Sequence, residues 1–104
     1  MVVEPGIDVR ARAGDVEVHL CGDIDLAFEQ ELLAALRDVA LFGLPVVVDM
    51  ADVTFLDSTG MRCLLVAQRC FEDAGLPLRL RAVPPHVRRV LEIAGVGQTL
   101  PIIA

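Results

Sequence analysis

The sequence predicts a small α/β domain with a mixed, mostly parallel β-sheet and helices packed on it. Apolar residues recur with a period of two in some segments and with a helical period in others, and the two kinds of segment alternate along the chain. The apolar run at residues 46–48 is typical of a central strand that is covered on both faces. No linker or repeat interrupts the pattern, so we expect one domain over residues 1–104.

The first elements form a β-hairpin pattern. Apolar residues alternate with charged ones over residues 7–13 and again over residues 16–20, and Gly14-Asp15 lies between them as a turn. We expect this hairpin at an edge of the sheet, with His19 pointing outward. An amphipathic helix follows over residues 28–40.

The remaining elements alternate between strands and helices. After the strand at 46–48, residues 51–56 lead into a helix that begins at the Asp57-Ser58 corner and ends by Gly75. A strand at 78–82 precedes a helix that follows Pro84-Pro85 and ends at Gly95. Residues 99–103 form a last short strand, in which Pro101 requires an edge or a bulge. The predicted order is ββαβαβαβ.

Composition argues against several partners and compartments. The net charge is −6, all nine basic residues are Arg, and Trp and Tyr are absent, so direct nucleic-acid binding is not expected. Apolar runs fall well short of the roughly 20 residues that a membrane-spanning helix needs, and the N-terminus lacks the pattern of a signal peptide. We therefore expect a cytoplasmic protein without a membrane partner.

Enzymatic motifs are absent. Cys21, Cys63 and Cys70 follow no metal-ligand spacing and lie among apolar residues, which predicts buried, reduced thiols. His19 and His86 have no catalytic partner in a motif. Neither a nucleophile elbow nor a glycine-rich phosphate loop occurs. We expect no catalytic residue, no metal and no cofactor.

Two strand-to-helix junctions carry the polar residues of interest, because functional residues of such sheets gather where strands end. They are Gly22-Asp23-Ile24-Asp25 and Asp57-Ser58-Thr59-Gly60. A phosphate on Ser58 would meet the unpaired N–H groups of the helix start. It would add about −1.5 to −2 charge beside Asp57, and beside Asp23 and Asp25 if the junctions adjoin. A partner docked there would be expelled.

A purely structural interpretation of these junctions stays open. Asp57 or Ser58 would cap the helix, and Asp23 and Asp25 would be ordinary turn residues. Gly60 in the first helical turn suggests that the backbone must be uncovered there. Met61, three residues past Ser58, is the predicted exposed apolar contact for a protein partner.

Four blocks of sequence together resemble a known family. They are Gly22-Asp23-Ile24-Asp25, Val46-Val47-Val48-Asp49, Val53-Thr54-Phe55-Leu56-Asp57-Ser58-Thr59-Gly60 and Pro85-His86-Val87-Arg88-Arg89-Val90-Leu91. In order and spacing they resemble STAS domains of the bacterial anti-sigma factor antagonist type, and the resemblance covers nearly the whole chain.

The resemblance implies a partner-switching regulator of sigma-factor-dependent transcription that does no chemistry itself. It would bind an anti-sigma factor while unphosphorylated. That anti-sigma factor would be a serine kinase that uses ATP to phosphorylate Ser58, and a separate metal-dependent serine phosphatase would reverse the step. The implied partner-binding residues are Asp23, Asp25, Asp57, Ser58, Thr59, Gly60 and Met61.

The chain departs from the family pattern in two places. Met61-Arg62-Cys63 replaces residues that are commonly small or aliphatic, and the sequence ends at Ala104 without a clear final helix, which would leave one face of the sheet less covered. Two alternatives remain. One is a non-switching STAS subunit of a lipid-transport complex, a stressosome-like particle or a transporter, and the other is a nucleotide-binding module.

Overall fold

The computed structural model describes residues 3–103 and contains the elements in the predicted order. A single five-stranded sheet has the strand order β1-β2-β3-β4-β5. The elements are β1 (Gly6–Ala11), β2 (Val16–Ile24), α1 (Glu29–Ala40), β3 (Val46–Leu56), α2 (Ser58–Asp73), β4 (Leu78–Arg81), α3 (Pro85–Ile93) and β5 (Ile102–Ile103), with a 3-10 turn at Leu26–Phe28. The predicted α/β class with a mixed, mostly parallel sheet is confirmed.

The sheet is parallel except at its first strand. β1 pairs antiparallel with β2, whereas β2, β3, β4 and β5 pair parallel in sequence. The β1–β2 hairpin lies at an edge of the sheet as predicted, with β2 as its inner strand, and His19 projects from the face opposite the buried residues of β2. Its ring lies between β1 and β3, with Nε2 2.9 Å from a carboxylate oxygen of Asp52 on β3.

The core lies on one face of the sheet. Alternate residues of β2, from Val16 to Ile24, are buried and join residues of all three helices in one apolar cluster. Val46 and Val48 belong to this cluster, but Val47 points the other way and pairs in register with Glu17 and Arg79. The expectation that this run is covered on both faces is confirmed, since Val47 is only 9% exposed, although its neighbours on the second face, Glu17 and Arg79, are charged.

Two strands are longer than the sequence pattern indicates. β2 continues past Leu20 to Ile24, and β3 runs without a break from Val46 to Leu56. Register shifts between His19 and Cys21 and between Gly22 and Asp23 allow the pairing to continue. Both shifts place the extra residue in β3, where the alternation of buried residues is lost, whereas in β2 burial alternates without a break to Ile24.

The start of α1 and the position of Pro101 can each be compared with the sequence prediction. Helix α1 begins one residue later than predicted, because Leu26–Phe28 forms the 3-10 turn before it. β5 is an edge strand, which confirms the edge position required by Pro101, whose carbonyl accepts a hydrogen bond from the Leu80 N–H at 2.8 Å. None of the helices in residues 3–103 has the length and apolar character needed to cross a bilayer.

Candidate functional site

The two polar junctions meet at the carboxyl ends of β2 and β3. Ile24 and Leu56 are register partners at the last position of both strands. Beyond them, the Asp57 N–H donates a hydrogen bond to the Ile24 carbonyl over 3.3 Å. Parallel strands end at the same edge of a sheet, so this pairing brings residues 22–25 beside residues 57–60. The two junctions are therefore adjacent, which is the condition under which a phosphate on Ser58 would lie beside Asp23 and Asp25.

Ser58 is the first residue of α2, and its side chain is exposed. Asp57, and not Ser58, caps the helix, since its carboxylate accepts a hydrogen bond from the Gly60 N–H at 2.9 Å. Within residues 3–103 the Ser58 hydroxyl makes no side-chain hydrogen bond. The hydroxyl is therefore accessible and is not needed to satisfy the helix start.

Gly60 lets the first turn of α2 lie directly against the end of β2. A Cβ atom at this position would lie 2.6 Å from the Ile24 carbonyl oxygen and 2.7 Å from a methyl group of Leu56. Real Cβ atoms do not approach backbone oxygens so closely. The uncovered backbone predicted from the sequence thus serves close packing between the two junctions.

The remaining acidic residues also hold backbone in place. Asp25 caps the 3-10 turn and accepts a hydrogen bond from the Ala27 N–H at 3.0 Å. Asp23 accepts one from the Thr54 hydroxyl and one from the Val3 N–H. Both hydrogen bonds stabilise the ionised carboxylate, and the bond from the Thr54 hydroxyl has the larger effect. Together they hold the pKa of Asp23 below its ordinary value. The turn and cap functions considered from the sequence are therefore real at all three positions.

The site is negatively charged around Ser58. Asp25 and Asp57 are half-buried, and Glu29 is the first residue of α1. Arg62, one helical turn after Ser58, donates a hydrogen bond to Glu29 at 2.8 Å. That cation is matched by Glu29, so the three aspartates leave an acidic surface where the two junctions meet.

One site prediction needs correction. Met61 was expected to be an exposed apolar contact, but its side chain is 9% exposed and belongs to the core cluster. Helix α2 turns residue 61 toward the sheet because residues 61, 64 and 71 form its buried face. The side chain of Met61 is therefore too buried to make the contact with a partner that the sequence predicted.

Sequence reasoning missed two exposed apolar residues near the site. Leu26 is 68% exposed in the 3-10 turn, and Phe55 is 50% exposed near the end of β3. Phe55 pairs in register with Asp23, so both lie on the same face at the carboxyl edge of the sheet. No sequence signal identified Phe55, because its exposure depends on the register shift between β2 and β3.

The thiols and the acidic residues do not form a metal centre. Within residues 3–103, no group of three His, Cys, Asp or Glu side chains is arranged to hold a metal ion. Cys63 is buried, and desolvation raises the pKa of its thiol, whereas Cys70 is exposed and does not fit the expected burial. Cys21 is intermediate.

Comparison with known proteins establishes the family. The family model described as "Mlab, STAS domain" matches residues 7–103, so the chain belongs to the STAS domain family. The resemblance inferred from the four sequence blocks is confirmed.

Its relatives include anti-sigma factor antagonists. The chain is 26% identical over 98 residues to the anti-sigma-B factor antagonist of Bacillus subtilis (strain 168), covering 94% of this chain and 90% of that protein. An anti-sigma factor antagonist from Mycobacterium paratuberculosis has a similar crystal structure, with a TM-score of 0.83 and 26% identity over 95% of this chain and 85% of that one. The anti-sigma factor antagonist SpoIIAA in its unphosphorylated form has the same fold, with a TM-score of 0.80, 20% identity and coverage of 95% and 89%.

Proposed function

We propose that this protein is an anti-sigma factor antagonist whose binding is switched by phosphorylation of Ser58. In the unmodified state it binds an anti-sigma factor through the surface formed by the two junctions, and so releases a sigma factor. The partner is itself the serine kinase that modifies Ser58 at the cost of ATP, and a serine phosphatase restores the binding form. The protein contributes a surface and a hydroxyl, and no catalytic group.

The observation that carries the proposal is the setting of Ser58. Its hydroxyl is exposed, is not used for capping, and lies at a helix start whose backbone is joined to the Asp23-Ile24-Asp25 junction. A kinase can therefore reach it without unfolding the helix. The start of a helix also favours added negative charge, so the fold tolerates the phosphate.

The same setting explains why a phosphate would disrupt docking. Asp23, Asp25 and Asp57 already make this surface acidic, so the natural partner surface is basic. A phosphate adds about −1.5 to −2 charge and three strongly hydrated oxygens to the centre of the contact. Removing water from the phosphate on binding costs more free energy than removing it from an unmodified serine hydroxyl. The bulk of the phosphate also separates the two surfaces.

Phe55 and Leu26 give the surface an apolar component. They are 50% and 68% exposed, and both adjoin acidic residues of the site, since Phe55 pairs in register with Asp23 and Leu26 follows Asp25. Interfaces commonly combine an aromatic anchor with surrounding polar groups. We infer that Phe55 takes the role of apolar contact that the sequence had suggested for Met61.

The first test is phosphorylation followed by intact-mass spectrometry. Wild type, Ser58→Ala and Thr59→Ala are incubated with ATP and an anti-sigma factor kinase from the same genome. We expect one added phosphate in wild type and in Thr59→Ala, and none in Ser58→Ala. Thr59 is the matched control because it is the neighbouring hydroxyl on the same helical turn. Phosphate on Ser58→Ala would contradict the assignment of Ser58.

The second test measures the affinity of each variant for the same kinase by titration. Ser58→Asp should bind at least about tenfold more weakly than Ser58→Ala, since a desolvated like charge costs more than about 1 kcal/mol. Phe55→Ala should weaken binding while remaining a substrate at high kinase concentration. Equal affinities for Ser58→Asp and Ser58→Ala would contradict the electrostatic explanation of the switch.

A second candidate is a STAS subunit without a switch. Two observations favour it: the matching family model is defined by the STAS domain and not by antagonism of an anti-sigma factor, and all three acidic residues of the site also support local backbone. In this case no kinase from the same genome would modify Ser58, and Ser58→Asp would leave assembly with its partner unchanged.

A further inference from the structure

The outer side of β1 is an unpaired edge of the sheet. Within residues 3–103, β1 pairs with β2 alone and ends the strand order on that side. It is six residues long, whereas β5 at the opposite edge has two residues. Neither a proline nor a register shift, which block many sheet edges, occurs between Gly6 and Ala11. The edge of β1 therefore offers a row of backbone donors and acceptors to another strand.

The register of the hairpin shows which residues of β1 direct their backbone groups outward. The Arg12 N–H donates a hydrogen bond to the Asp15 carbonyl over 2.9 Å, so residues 12 and 15 form a hydrogen-bonded pair. In an antiparallel ladder, such pairs alternate with pairs that share no hydrogen bond. The even-numbered residues of β1 therefore use their backbone groups toward β2. The odd-numbered residues direct theirs to the free edge, and they are Ile7, Val9 and Ala11.

The side chains of β1 are apolar on one face and charged on the other. Val9 pairs with the buried Val18, so it lies on the face that the helices cover, and yet it is 39% exposed. Asp8 and Arg10 lie on the opposite face with side chains 58% and 69% exposed, and Arg10 Nε lies 2.9 Å from an Asp8 carboxylate oxygen. An ion pair as exposed as this one adds little to the stability of the fold. Both charged side chains are therefore available to a partner.

The sequence of β1 is complementary to itself in the antiparallel direction. When Val9 lies opposite Val9 of a second copy, Asp8 of each copy lies opposite Arg10 of the other, and Ile7 lies opposite Ala11. The pairs at the odd-numbered positions form the hydrogen bonds, because their backbone groups face outward. The pairs at residues 8 and 10 are then the non-hydrogen-bonded ones, in which opposed side chains come closest, with about 4.5 Å between Cα atoms.

The charges of β1 select this register. An axis at residue 8 or at residue 10 would set two like charges directly opposite each other, which is unfavourable. An axis at residue 7 would leave Asp8 opposite a glycine, and an axis at residue 11 would set Arg10 opposite Arg12. An axis between two residues would set an outward-facing backbone opposite one that faces β2, so no ladder would form. With the axis at Val9, both charged residues of β1 lie opposite a charge of the other sign.

We propose that this chain forms a homodimer in which the β1 strands of two copies pair antiparallel about a two-fold axis at Val9. The two sheets of five strands then become one continuous sheet. Both copies use the same edge, so the assembly closes as a dimer. One pair of strands buries less surface than a standard interface, so the dimer is weak, with a dissociation constant between about 10 μM and 1 mM. The paired edge contains no residue of the proposed switch surface, and the dimer is tested without the kinase.

The first experiment is sedimentation equilibrium of the full chain at concentrations up to about 1 mM, the upper end of the expected dissociation constant. Wild type should show a monomer–dimer equilibrium. Val9→Pro should be monomeric, because proline removes the N–H at the axis, and the fold should persist because that N–H faces away from β2. Val9→Thr is the matched control, since it keeps the N–H and the β-branched shape and should stay within about threefold of wild type. Urea denaturation verifies that both variants are folded.

Two outcomes of this experiment would overturn the proposal. The first is a wild type that remains monomeric over the whole range of concentration. The second is a dimer that survives Val9→Pro, because an interface elsewhere on the molecule does not need the Val9 N–H. Loss of the dimer in Val9→Pro together with its retention in Val9→Thr supports pairing through the backbone of β1.

Charge reversal tests the register of the two strands. Asp8→Arg and Arg10→Asp should each weaken the homodimer at least about tenfold, because each sets like charges opposite each other twice. An equimolar mixture of the two variants should dimerise to within about threefold of wild type, since the two cationic positions of one chain then meet the two anionic positions of the other.

The mixture separates pairing between chains from effects within one chain. The ion pair between residues 8 and 10 of a single chain stays broken in both variants, so it cannot account for recovery. Both variants also stay net negative, because one reversal changes the charge of −6 by two units, so no overall attraction draws them together. A mixture that associates no better than either variant alone contradicts the proposal.

Discussion

At the scale of single residues, the candidate site is built from side chains that serve the fold and the surface together. Asp25 and Asp57 each accept a backbone N–H at the start of a helical turn, and Asp23 binds Thr54 and Val3. Position 60 requires glycine, because a Cβ atom there would lie 2.6 Å from the Ile24 carbonyl oxygen. Ser58 differs from these neighbours, because its side chain makes no hydrogen bond to any residue within 3–103.

Gly60→Ala should destabilise the protein although alanine is the better helix former. Alanine gains about 1 kcal/mol of helix propensity over glycine, but a Cβ 2.6 Å from the Ile24 carbonyl oxygen forces the junctions apart. Overpacking of this kind costs about 1–3 kcal/mol, so we expect a net loss in the free energy of unfolding, measured by urea denaturation. Gly14→Ala is the control, since nothing lies within 4 Å of its added Cβ. A Gly60→Ala variant as stable as wild type would show that the two junctions are not in close contact.

At the scale of elements, α2 links the core and the site. Its buried residues include Leu64, Ala67 and Phe71, whereas Arg62, Val66 and Arg69 point outward. The helix lacks acidic residues within its own first turn, so the preceding Asp57 is its N-terminal cap. The position of Ser58 therefore depends on one carboxylate.

Asp57→Ala should lower the free energy of unfolding by about 1 kcal/mol, because the Gly60 N–H loses its acceptor. Asp57→Asn should stay close to wild type, since asparagine caps helices as well as aspartate does. Urea denaturation of the three proteins measures the difference. If both variants lost the same stability, charge would matter more than the capping hydrogen bond, and the assigned function of Asp57 would be wrong.

At the scale of the whole molecule, the sheet has an apolar face under the helices and a charged face opposite. On the charged face Arg81 bridges Glu17 and Asp49, and Arg12 bonds Asp15 and Glu17. The hydrogen bond from Arg12 lowers the pKa of Asp15. Burial raises the pKa of Asp49, but the Ala51 N–H and Arg81 outweigh burial, so this pKa is also lowered.

These lowered pKa values predict how stability depends on pH. A carboxyl group with a folded pKa below its unfolded value of about 3.9 stabilises the fold above that pH, and the contribution is lost as pH falls through the folded pKa. Stability should therefore decrease from about pH 5 downward. Asp23→Asn should make this decrease shallower, because Asp23 no longer titrates, while Asp38→Asn on the exposed side of α1 should not. Urea denaturation at a series of pH values would contradict this if the slopes of wild type and Asp23→Asn coincided.

The sequence by itself determined the features that are local along the chain. The periodicity of apolar residues gave the order of strands and helices, because each element must direct its apolar side chains to one side. Asp57-Ser58-Thr59-Gly60 marked the start of α2, since capping depends on residues a few positions apart. The four sequence blocks were enough to identify the STAS family.

The tertiary structure alone decided which residues are buried or exposed at the site. Met61 is in the core and Phe55 is at the surface, although both are apolar and lie near Ser58. The difference depends on which side of α2 faces the sheet and on register shifts between β2 and β3. Likewise, Val47 meets charged residues because the helices cover one face of the sheet. These facts arise from contacts between residues far apart in sequence, where a shift of one residue reverses the direction of every side chain in a strand.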